Sequence, residues 1–353
     1  MREISIQKNE AGQRMDKFLA KYLNKAPKSF FYKMMRKKNI TLNGKKAVGN
    51  EQLKQGDVIK LFLAEETIEN FIDHSQFSKK KASSARKQTA GKKVQLDILY
   101  EDEAAVFINK PVGMLSQKAS PTDTSLVEYF IDYLLENGKI TEEELHTFHP
   151  SVCNRLDRNT SGIVAAGKTL QALQGLSEMF RDRTLKKYYL CLVKGQVKEN
   201  QRIHGYLVKN EKTNKVTVSQ KKPAEQTKDG KEASAIHTEY KVLARNRETT
   251  LLEVHLITGK THQIRAHLAS IGHPIAGDYK YGNRSFNDAL KKEYGLRSQL
   301  LHAYRLEFPE NCEGDIKQLS GKILKAPVPA LFEQICKAQG VMIVLGSDSH
   351  VDA

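Results

Sequence analysis

The chain has 353 residues, 39% of them hydrophobic, and a formal net charge of +16; this length allows two domains whose cores need neither disulfides nor metal. The mean hydropathy is −0.54. Because no apolar run approaches a membrane span and the first residues are charged, we expect neither a membrane segment nor a secretory signal peptide. The four cysteines form no C-x-x-C pair, which argues against a zinc ribbon or dithiol site and is typical of reduced thiols in a cytoplasmic protein.

The positive charge is concentrated near the N-terminus. Residues 1–93 hold 22 basic and 9 acidic side chains, so +13 of the +16 lies in the first quarter of the chain. A local excess of this kind attracts polyanions through phosphate contacts and the release of counterions. A solvated, solubilising surface explains the charge equally well, and charge alone does not decide between these interpretations.

Residues 1–64 have the pattern of a small α+β module. Two segments show helical spacing, RMDKFLAKYL and FFYKMMRKK, and we expect Ser29 to be the N-cap of the second helix. Asn43 and Gly44 predict a hairpin turn, and DVIKLFLA alternates like a strand.

The rest of the chain divides into three parts. Residues 65–93 are rich in Lys, Ser and Ala, which predicts a flexible basic linker. Residues 94–340 show helical spacing at 124–137 and 169–181 and several strand-like segments, which predicts a larger, strand-rich domain. Residues 341–353 form a short polar tail that we expect to fray.

The densest cluster of chemically useful residues is SVCNRLDRNTSGIVAAGKT. Asp157 stands between Arg155 and Arg158, and we expect neighbouring guanidinium groups to keep its carboxylate ionised and nucleophilic at neutral pH. Thr160 and Ser161 offer hydroxyl groups to a phosphate or a sugar. A structural ion pair between arginine and aspartate would explain the same residue types.

A second cluster lies in LITGKTHQIRAHLASIGHPIAGDYKYG. We expect a helix that opens with Thr261, with Lys260, His262 and Arg265 crowding its first turns. Donors at a helix N-terminus suit an anion such as phosphate. His262 and His267 are five residues apart, with no acidic third ligand nearby, so we expect no metal site.

The segment TLKKYYLCLVKG predicts a strand in which Tyr188 and Tyr189 face opposite sides. One tyrosine can therefore look into a cleft, where it can stack on a base, while the other packs. A tyrosine that belongs only to the core is the alternative for this segment taken alone.

These residues carry a resemblance to a known family. In order and spacing, RLDRNTSG, LKKYYLCLVKG, TGKTHQIRAHLASIGHPIAGDYKYG and LHAYRLEF resemble the motifs of the RluA-type pseudouridine synthases, and ILYEDEAAVFINKPVGMLSQ is similar to the opening motif of that family. Residues 12–63 resemble the S-four RNA-binding domain, which often precedes this catalytic domain.

The resemblance implies an α+β fold, with a mixed, largely antiparallel sheet in the catalytic domain and a small α+β RNA-binding domain before it. It also implies isomerisation of uridine to pseudouridine in RNA without a cofactor. Ribosomal RNA of the large subunit is the substrate we expect first and transfer RNA second, and we expect a cytoplasmic monomer.

Site residues carry over position by position. Asp157 matches the essential aspartate, Tyr189 the active-site tyrosine, and Arg265 the basic residue that pairs with the aspartate. Arg155 matches the arginine that in some members fills the space left by the flipped base. Asn154 departs from the family, because many members have histidine there, and this puts in doubt any contact that needs an imidazole.

The remaining expected site residues bind substrate. Those near the cleft are Arg155, Thr160, Ser161, Lys260 and His262. Those expected to bind RNA from the N-terminal module are Lys17, Lys33, Arg36, Lys37, Lys38, Lys45 and Lys46. We expect no metal ligands.

The chemistry leaves two routes open. Uracil must be detached from ribose at nitrogen, rotated and rejoined through carbon, and Asp157 could either attack the ring or act on the sugar while the glycosidic bond breaks. The base must also leave its stack, at a cost of roughly a few kcal/mol, which Arg155 would partly offset. Tyr189 would stack on the uracil and help remove the proton from the carbon that forms the new bond.

Two other classes of protein share some of these features. A glycoside or nucleoside hydrolase would use a carboxylate near a ribose, but it normally needs a second acid at a defined separation, and the Asp157 motif supplies one acid among basic groups. A non-catalytic RNA-binding factor would explain the basic N-terminus, but binding alone needs no carboxylate facing an anionic ligand.

Overall fold

The computed structural model describes residues 1–73, 94–142, 144–210, 213–222 and 233–343. An N-terminal module comes first in the chain. Its strands are β1 (Arg2–Ser5), β2 (Ile40–Leu42), β3 (Lys45–Lys46) and β4 (Val58–Leu61), and its helices are α1 (Met15–Tyr22), α2 (Lys28–Arg36) and α3 (Glu65–Asn70).

Apolar spacing accounts for this module. The strands form an antiparallel sheet in the order β1-β4-β2-β3, and the helices pack on it around a buried cluster that includes Phe18, Phe31 and Ile59. Asn43 and Gly44 form the predicted turn, with φ of 50° and 73°, as a tight hairpin turn requires. Strand β1 was not predicted, because four residues are too few to show a pattern.

The predicted N-cap of α2 is wrong. The helix begins at Lys28, and Pro27 occupies the N-cap position with a φ of −70° and no side-chain capping bond. Proline suits this position because its ring fixes φ and its missing N–H leaves no donor unsatisfied. Ser29 therefore lies within the first helical turn.

The N-terminal module extends beyond the expected boundary at residue 64. Residues 65–70 form α3, and the side chains of Ile68 and Ile72 are buried in the cluster of the module. The prediction of a flexible linker is therefore wrong for residues 65–73, where two isoleucines supply enough apolar surface to dock a helix. Residues 74–93, the rest of the expected linker, lie outside the described residues.

The larger domain is built on a second sheet. Its strands are β5 (Ile98–Glu101), β6 (Ala105–Lys110), β7 (Ser151–Val152), β8 (Ser161–Gly167), β9 (Lys186–Lys194), β10 (Gln201–Asn210), β11 (Lys215–Ser219), β12 (Ser234–Arg245), β13 (Thr249–Leu256), β14 (Leu301–Glu307) and β15 (Ile323–Lys325). They follow the order β11-β10-β12-β13-β9-β14-β8-β6-β5, with β7 beside β8 and β15 beside β14.

The sheet is mixed and largely antiparallel, which confirms the predicted fold class. Strands β8 and β14 pair in parallel, while neighbours such as β6 with β8 and β9 with β13 are antiparallel. The parallel pair depends on Gly162, whose φ is +114° and where a Cβ atom would lie only 2.1 Å from the carbonyl oxygen of Ala303. The glycine after Ser161 therefore brings the end of the Asp157 loop against β14.

Helices cover both faces of this sheet. They are α4 (Leu126–Glu136), α5 (Leu170–Asp182), α6 (Gln263–Ser270), α7 (Arg284–Tyr294) and α8 (Ala330–Ala338), with short 3-10 turns at Glu144–His146 and Gly314–Leu319. Helices α4 and α6 pack on the face that carries Tyr189, and α7 and α8 pack on the face that carries Leu190 and Leu192. In the described part of the chain, no helix has the length and apolarity to cross a membrane.

The larger domain also ends later than expected. Val341 is fully buried in the cluster formed by α7 and α8, and Ile343 packs against it. The prediction of a frayed tail is therefore wrong for residues 341–343. Residues 344–353 lie outside the described residues.

Candidate active site

Asp157 lies in the loop between β7 and β8. The loop is held by its own backbone and by a neighbouring loop: the Thr160 N–H donates to the carbonyl oxygen of Asp157 at 3.0 Å, and the Leu156 N–H donates to Ser116 Oγ at 3.0 Å. Ser116 Oγ in turn donates to the Leu156 carbonyl at 2.9 Å. These bonds fix the backbone on both sides of the carboxylate.

The group that contacts the Asp157 carboxylate is a guanidinium from α6. Arg265 Nη1 donates to Asp157 Oδ2 at 2.9 Å across 108 residues of sequence. Arg155 and Arg158, the sequence neighbours expected to play this part, are exposed. The carboxylate of Asp157 is 26% exposed, so it stays accessible while one of its oxygens is held.

Asp278 completes a chain of three charged groups. Arg265 Nε and Nη2 donate to its two carboxylate oxygens at 2.7 and 2.9 Å, and the Asp278 side chain is 1% exposed. Burial would raise the pKa of Asp278, but the Arg265 hydrogen bonds outweigh it and the net pKa is lowered. Arg265 is thus aimed at Asp157 by a fixed, ionised partner, a role for Asp278 that the sequence did not suggest.

Of the two neighbouring tyrosines of β9, Tyr189 faces the site and Tyr188 does not. The residue is 7% exposed. Burial is the main cause that raises the pKa of its hydroxyl, and the negative charge of Asp157 raises it further. The phenol is therefore neutral at physiological pH. Tyr188 lies on the other face of the sheet. There its ring stacks on His255, with 4.8 Å between the ring centroids, and the Arg305 guanidinium lies 4.0 Å from the centroid of the Tyr188 ring.

His262 is a second basic group close to the Asp157 carboxylate. It has a left-handed φ of 54° at the N-cap of α6, so the helix begins at Gln263 and the predicted start at Thr261 is two residues early. His262 Nε2 lies 4.0 Å from Asp157 Oδ1, and His262 Nδ1 lies 2.9 Å from the hydroxyl of Tyr281. Burial lowers the pKa of His262 in spite of the carboxylate, which favours a neutral imidazole.

The two hydroxyl groups after Asp157 serve different purposes. Thr160 lines the cavity, and its Oγ1 accepts from Gln299 Nε2 at 3.2 Å. Ser161 Oγ instead lies 2.9 Å from His302 Nδ1, in a buried contact between β8 and β14. Lys260 is exposed at the cavity rim.

Lys110 supports the site and was missed in the sequence. Its ammonium donates to the carbonyl oxygens of Pro111 and Met114 at 2.9 Å and of Arg158 at 3.2 Å. Burial lowers the pKa of Lys110 to about 8, partly opposed by the charge of Asp157. A lysine directly before a proline at the end of a strand was the available signal, but only the fold shows which carbonyl groups it reaches.

Asn154, the departure from the family pattern, is used for structure. Its amide donates to the Ile163 carbonyl at 3.2 Å, and its carbonyl oxygen accepts from the Ala165 N–H at 2.8 Å. The side chain therefore ties the approach to the Asp157 loop to β8. The neighbouring thiol of Cys153 is inert, because burial raises its pKa to about 12.

Asp157, Tyr189, His262 and Arg265 line one cavity of about 810 Å³. Among the described residues, its wall contains one carboxylate, that of Asp157, and eight cationic side chains, which are Lys118, Arg155, Arg158, Arg181, Lys187, Lys209, Lys260 and Arg265. Such a wall binds a polyanion and focuses it on a single carboxylate. Over the residues that the structure describes, no group of three or more His, Cys, Asp or Glu side chains is placed to hold a metal ion.

The seven cations expected to bind RNA from the N-terminal module are all exposed. Arg36 is the last residue of α2, and Lys37 and Lys38 follow directly after it, with Lys38 at a φ of 59°. Lys45 and Lys46 form β3 at the edge of the small sheet.

Comparison with known proteins gives a consistent result. Residues 104–270, which include Asp157, Tyr189 and Arg265, match the family described as RNA pseudouridylate synthase. The chain is 34% identical to ribosomal large subunit pseudouridine synthase C of Vibrio parahaemolyticus, over 88% of this chain and 90% of the relative. It is 32% identical to the protein of the same name from Vibrio cholerae, over 94% of each.

A solved structure shares the fold. Human RNA Pseudouridylate Synthase Domain Containing 4 superposes with a TM-score of 0.52 at 25% sequence identity, and the match covers 69% of this chain and 93% of the human chain.

Proposed function

The chain belongs to the RNA pseudouridylate synthase family and is an isomerase of uridine in RNA, and from that premise we propose that its substrate is ribosomal RNA of the large subunit and that Asp157 is its catalytic carboxylate. The observation that carries the proposal is the cavity, whose described lining sets one carboxylate among eight cations. The names of the most similar relatives support the choice of ribosomal RNA. A ribosomal RNA substrate implies action in the cytoplasm.

The proposed mechanism assigns each polar group to a part of the target nucleotide. Asp157 acts on the flipped uridine, either by attacking the ring or by acting on the ribose as the glycosidic nitrogen–carbon bond breaks. Arg265 holds one carboxylate oxygen and leaves the other for the substrate. The isomerisation consumes no second substrate, because the uracil that leaves through nitrogen is the same group that returns through carbon.

Tyr189 provides a flat surface for the uracil ring. Its hydroxyl is protonated because burial and the charge of Asp157 raise its pKa. The hydroxyl must therefore give up its own proton before it can accept the proton from the uracil carbon. Arg155 is exposed beside the cavity, where its guanidinium can enter the base stack once the uridine has left it. Thr160, Lys260 and His262 line the same wall and are proposed to bind the ribose and its phosphates.

The direct test uses purified protein and a uridine-containing stem-loop of large-subunit ribosomal RNA. We expect pseudouridine in the product and no free uracil. Free uracil would indicate a hydrolase, and unmodified RNA that stays bound would indicate a binding factor. A transfer RNA substrate tests the second candidate, and its faster modification would contradict the choice of ribosomal RNA. All three catalytic candidates come from one chain, so we propose that the monomer is active.

Replacing Tyr189 by phenylalanine should slow a chemical step more than it weakens binding, because the ring still stacks but its hydroxyl is lost. We expect the single-turnover rate to fall by about tenfold to a hundredfold, within the range of a proton-transfer group, and the RNA dissociation constant to stay within about twofold. Tyr188→Phe is the matched control, since Tyr188 faces away. If Tyr188→Phe is the slower variant, the assignment of Tyr189 is wrong.

We also propose that the N-terminal module is an S-four-like RNA-binding domain that holds phosphates through Lys17, Lys33, Arg36, Lys37, Lys38, Lys45 and Lys46. The exposure of all seven supports this proposal. Each phosphate contact should contribute about 0.7 to 0.9 to the slope of log affinity against log salt concentration.

The full-length variant Lys33→Gln/Arg36→Gln/Lys37→Gln should therefore lose up to about 2 to 3 units of that slope. Its single-turnover rate at saturating RNA should not change, because the three residues lie outside the cavity. The matched control is Lys291→Gln/Lys292→Gln, which removes exposed charges from α7. Equal slopes for the two variants would mean that the N-terminal charge only keeps the protein soluble.

A further inference from the structure

Lys187 lies on the cavity side of β9. Residues alternate in direction along a strand, so Lys187 shares the face of Tyr189, while Lys186 points away and pairs with Glu307 at 3.7 Å. Two residues along a strand span about 7 Å. The base of the Lys187 side chain therefore lies about one nucleotide step from the ring that we propose to stack on the target uracil.

The Lys187 side chain is largely buried, and the described residues offer its ammonium no anionic partner. It is 7% exposed, and within those residues its ammonium makes no hydrogen bond or ion pair. The ammonium lies 5.9 Å from the centroid of the Phe180 ring. Burial lowers the pKa of Lys187, and the positive charge of Arg183 lowers it further.

The side chain is buried along most of its length while its residue lines the cavity, and an ammonium in such a partly dry position is normally paired. Lys110, the other buried lysine near this cavity, shows the contrast, since three backbone carbonyl groups surround its ammonium. Lys187 has no such set of acceptors in the described part of the chain. An ammonium kept in this state is ready for a ligand that brings its own negative charge.

The surrounding wall cannot supply that charge. The cavity lining also includes Asn154, Ser177, Phe180 and Arg181, and none of these side chains is acidic. Of the wall residues that the structure describes, Asp157 alone carries a carboxylate, and Arg265 already holds it. With no acidic partner among the described wall residues, a substrate phosphate is the anion that this position suits.

We propose that Lys187 binds the phosphodiester group that adjoins the target uridine, and so fixes the position of the RNA backbone while the base enters the site. This inference rests on the proposed function. A lysine binds phosphate as a point charge and needs no exact geometry, which suits a backbone that is extended where a base has been flipped. Arg181 lies on the same wall and adds positive charge from the rim.

The test compares full-length wild type with Lys187→Met, which keeps the length of the side chain and removes its charge. Binding of an RNA stem-loop is measured across a salt series, together with single-turnover rates. We expect Lys187→Met to weaken binding about tenfold, the size of one charged hydrogen bond. The slope of log affinity against log salt should fall by about 0.7, as for one phosphate on a single strand.

Two further variants make the result specific. Lys187→Arg should recover most of the salt slope, because it restores the charge. Lys186→Met, the neighbouring lysine on the opposite face, should match wild type in affinity, slope and rate. Thermal unfolding of each variant shows whether a loss comes from the fold, and if Lys187→Met does not fold, the comparison uses Lys187→Gln.

Three outcomes would overturn the proposal: an unchanged salt slope, which would point to a neutral base oxygen as the partner; a loss confined to the saturated rate; or an equal effect of Lys186→Met. Failure of the proposed function is distinguishable from these, because it would appear as wild-type protein that makes no pseudouridine while its salt slopes can still be compared.

Discussion

Replacing Asp157 by asparagine is expected to abolish turnover while the protein stays folded and still binds RNA. An amide of the same shape cannot act as a nucleophile or a base. The single-turnover rate should therefore fall at least about 100-fold, the lower end for the loss of a general base. The fold should survive because Arg265 keeps its two bonds to Asp278 and the backbone bonds of the loop do not involve the carboxylate.

The matched control is Asp288→Asn, which removes an exposed carboxylate on α7 and should leave the rate unchanged. Binding is measured on the same stem-loop for both variants. Activity of Asp157→Asn within about tenfold of wild type would contradict the assignment of the catalytic carboxylate.

Replacing Arg265 by methionine should damage both stability and activity. Asp278 would be left as a carboxylate that is 1% exposed and has lost its ionic partner, a change that costs about 3–5 kcal/mol when one member of a buried pair is removed. Asp157 would lose the donor that fixes one of its oxygens. Urea unfolding measures the first effect and single-turnover kinetics the second.

The double variant Arg265→Met/Asp278→Asn separates the two effects. It removes the unpaired buried charge, so much of the lost stability should return, whereas the rate should stay low because Asp157 still has no guanidinium. Full recovery of activity in the double variant would show that Arg265 only neutralises Asp278.

The loss of stability in Arg265→Met should also be smaller at pH 5 than at pH 8. Without the arginine, burial raises the pKa of Asp278 above its value in the unfolded chain. Protonation then favours the folded state, and stability falls as pH rises.

Much of the fold follows from local patterns in the sequence. Asn43 and Gly44 predict their turn because positive φ at both positions is a local property. The alternation of Tyr188 and Tyr189 predicts that only one of them faces the site, because the direction of side chains in a strand is also local. The boundary at residue 64 was misplaced because composition does not show that α3 packs on the N-terminal core.

The missed parts of the site depend on contacts between distant segments. From its own residues, the motif around Asp157 suggested that Arg155 and Arg158 hold the carboxylate, whereas the structure gives that contact to Arg265, which the family resemblance had indicated. Asp278 showed no signal, because its role exists only once α6 and the following loop are packed together. The three carbonyl groups around Lys110 are likewise assembled by the fold.

Charge was the most misleading quantity in the sequence. Residues 1–93 carry +13 of the net +16, which directs attention to the N-terminal module. The larger domain is nearly neutral by comparison, yet eight cations and one carboxylate line its cavity among the residues that the structure describes. Acidic side chains such as Glu253, which pairs with Arg305, lie outside that lining. Net charge describes a segment, whereas binding depends on where the fold places each charge.

The central claim is that this chain makes pseudouridine in ribosomal RNA of the large subunit through Asp157. The most direct measurement maps pseudouridines in total RNA from cells that contain the wild-type chain, lack it, or contain only Asp157→Asn. We predict that specific large-subunit positions are modified in the first case and remain uridine in the other two. Unchanged large-subunit positions in cells that lack the chain, or their modification by Asp157→Asn, would contradict the account.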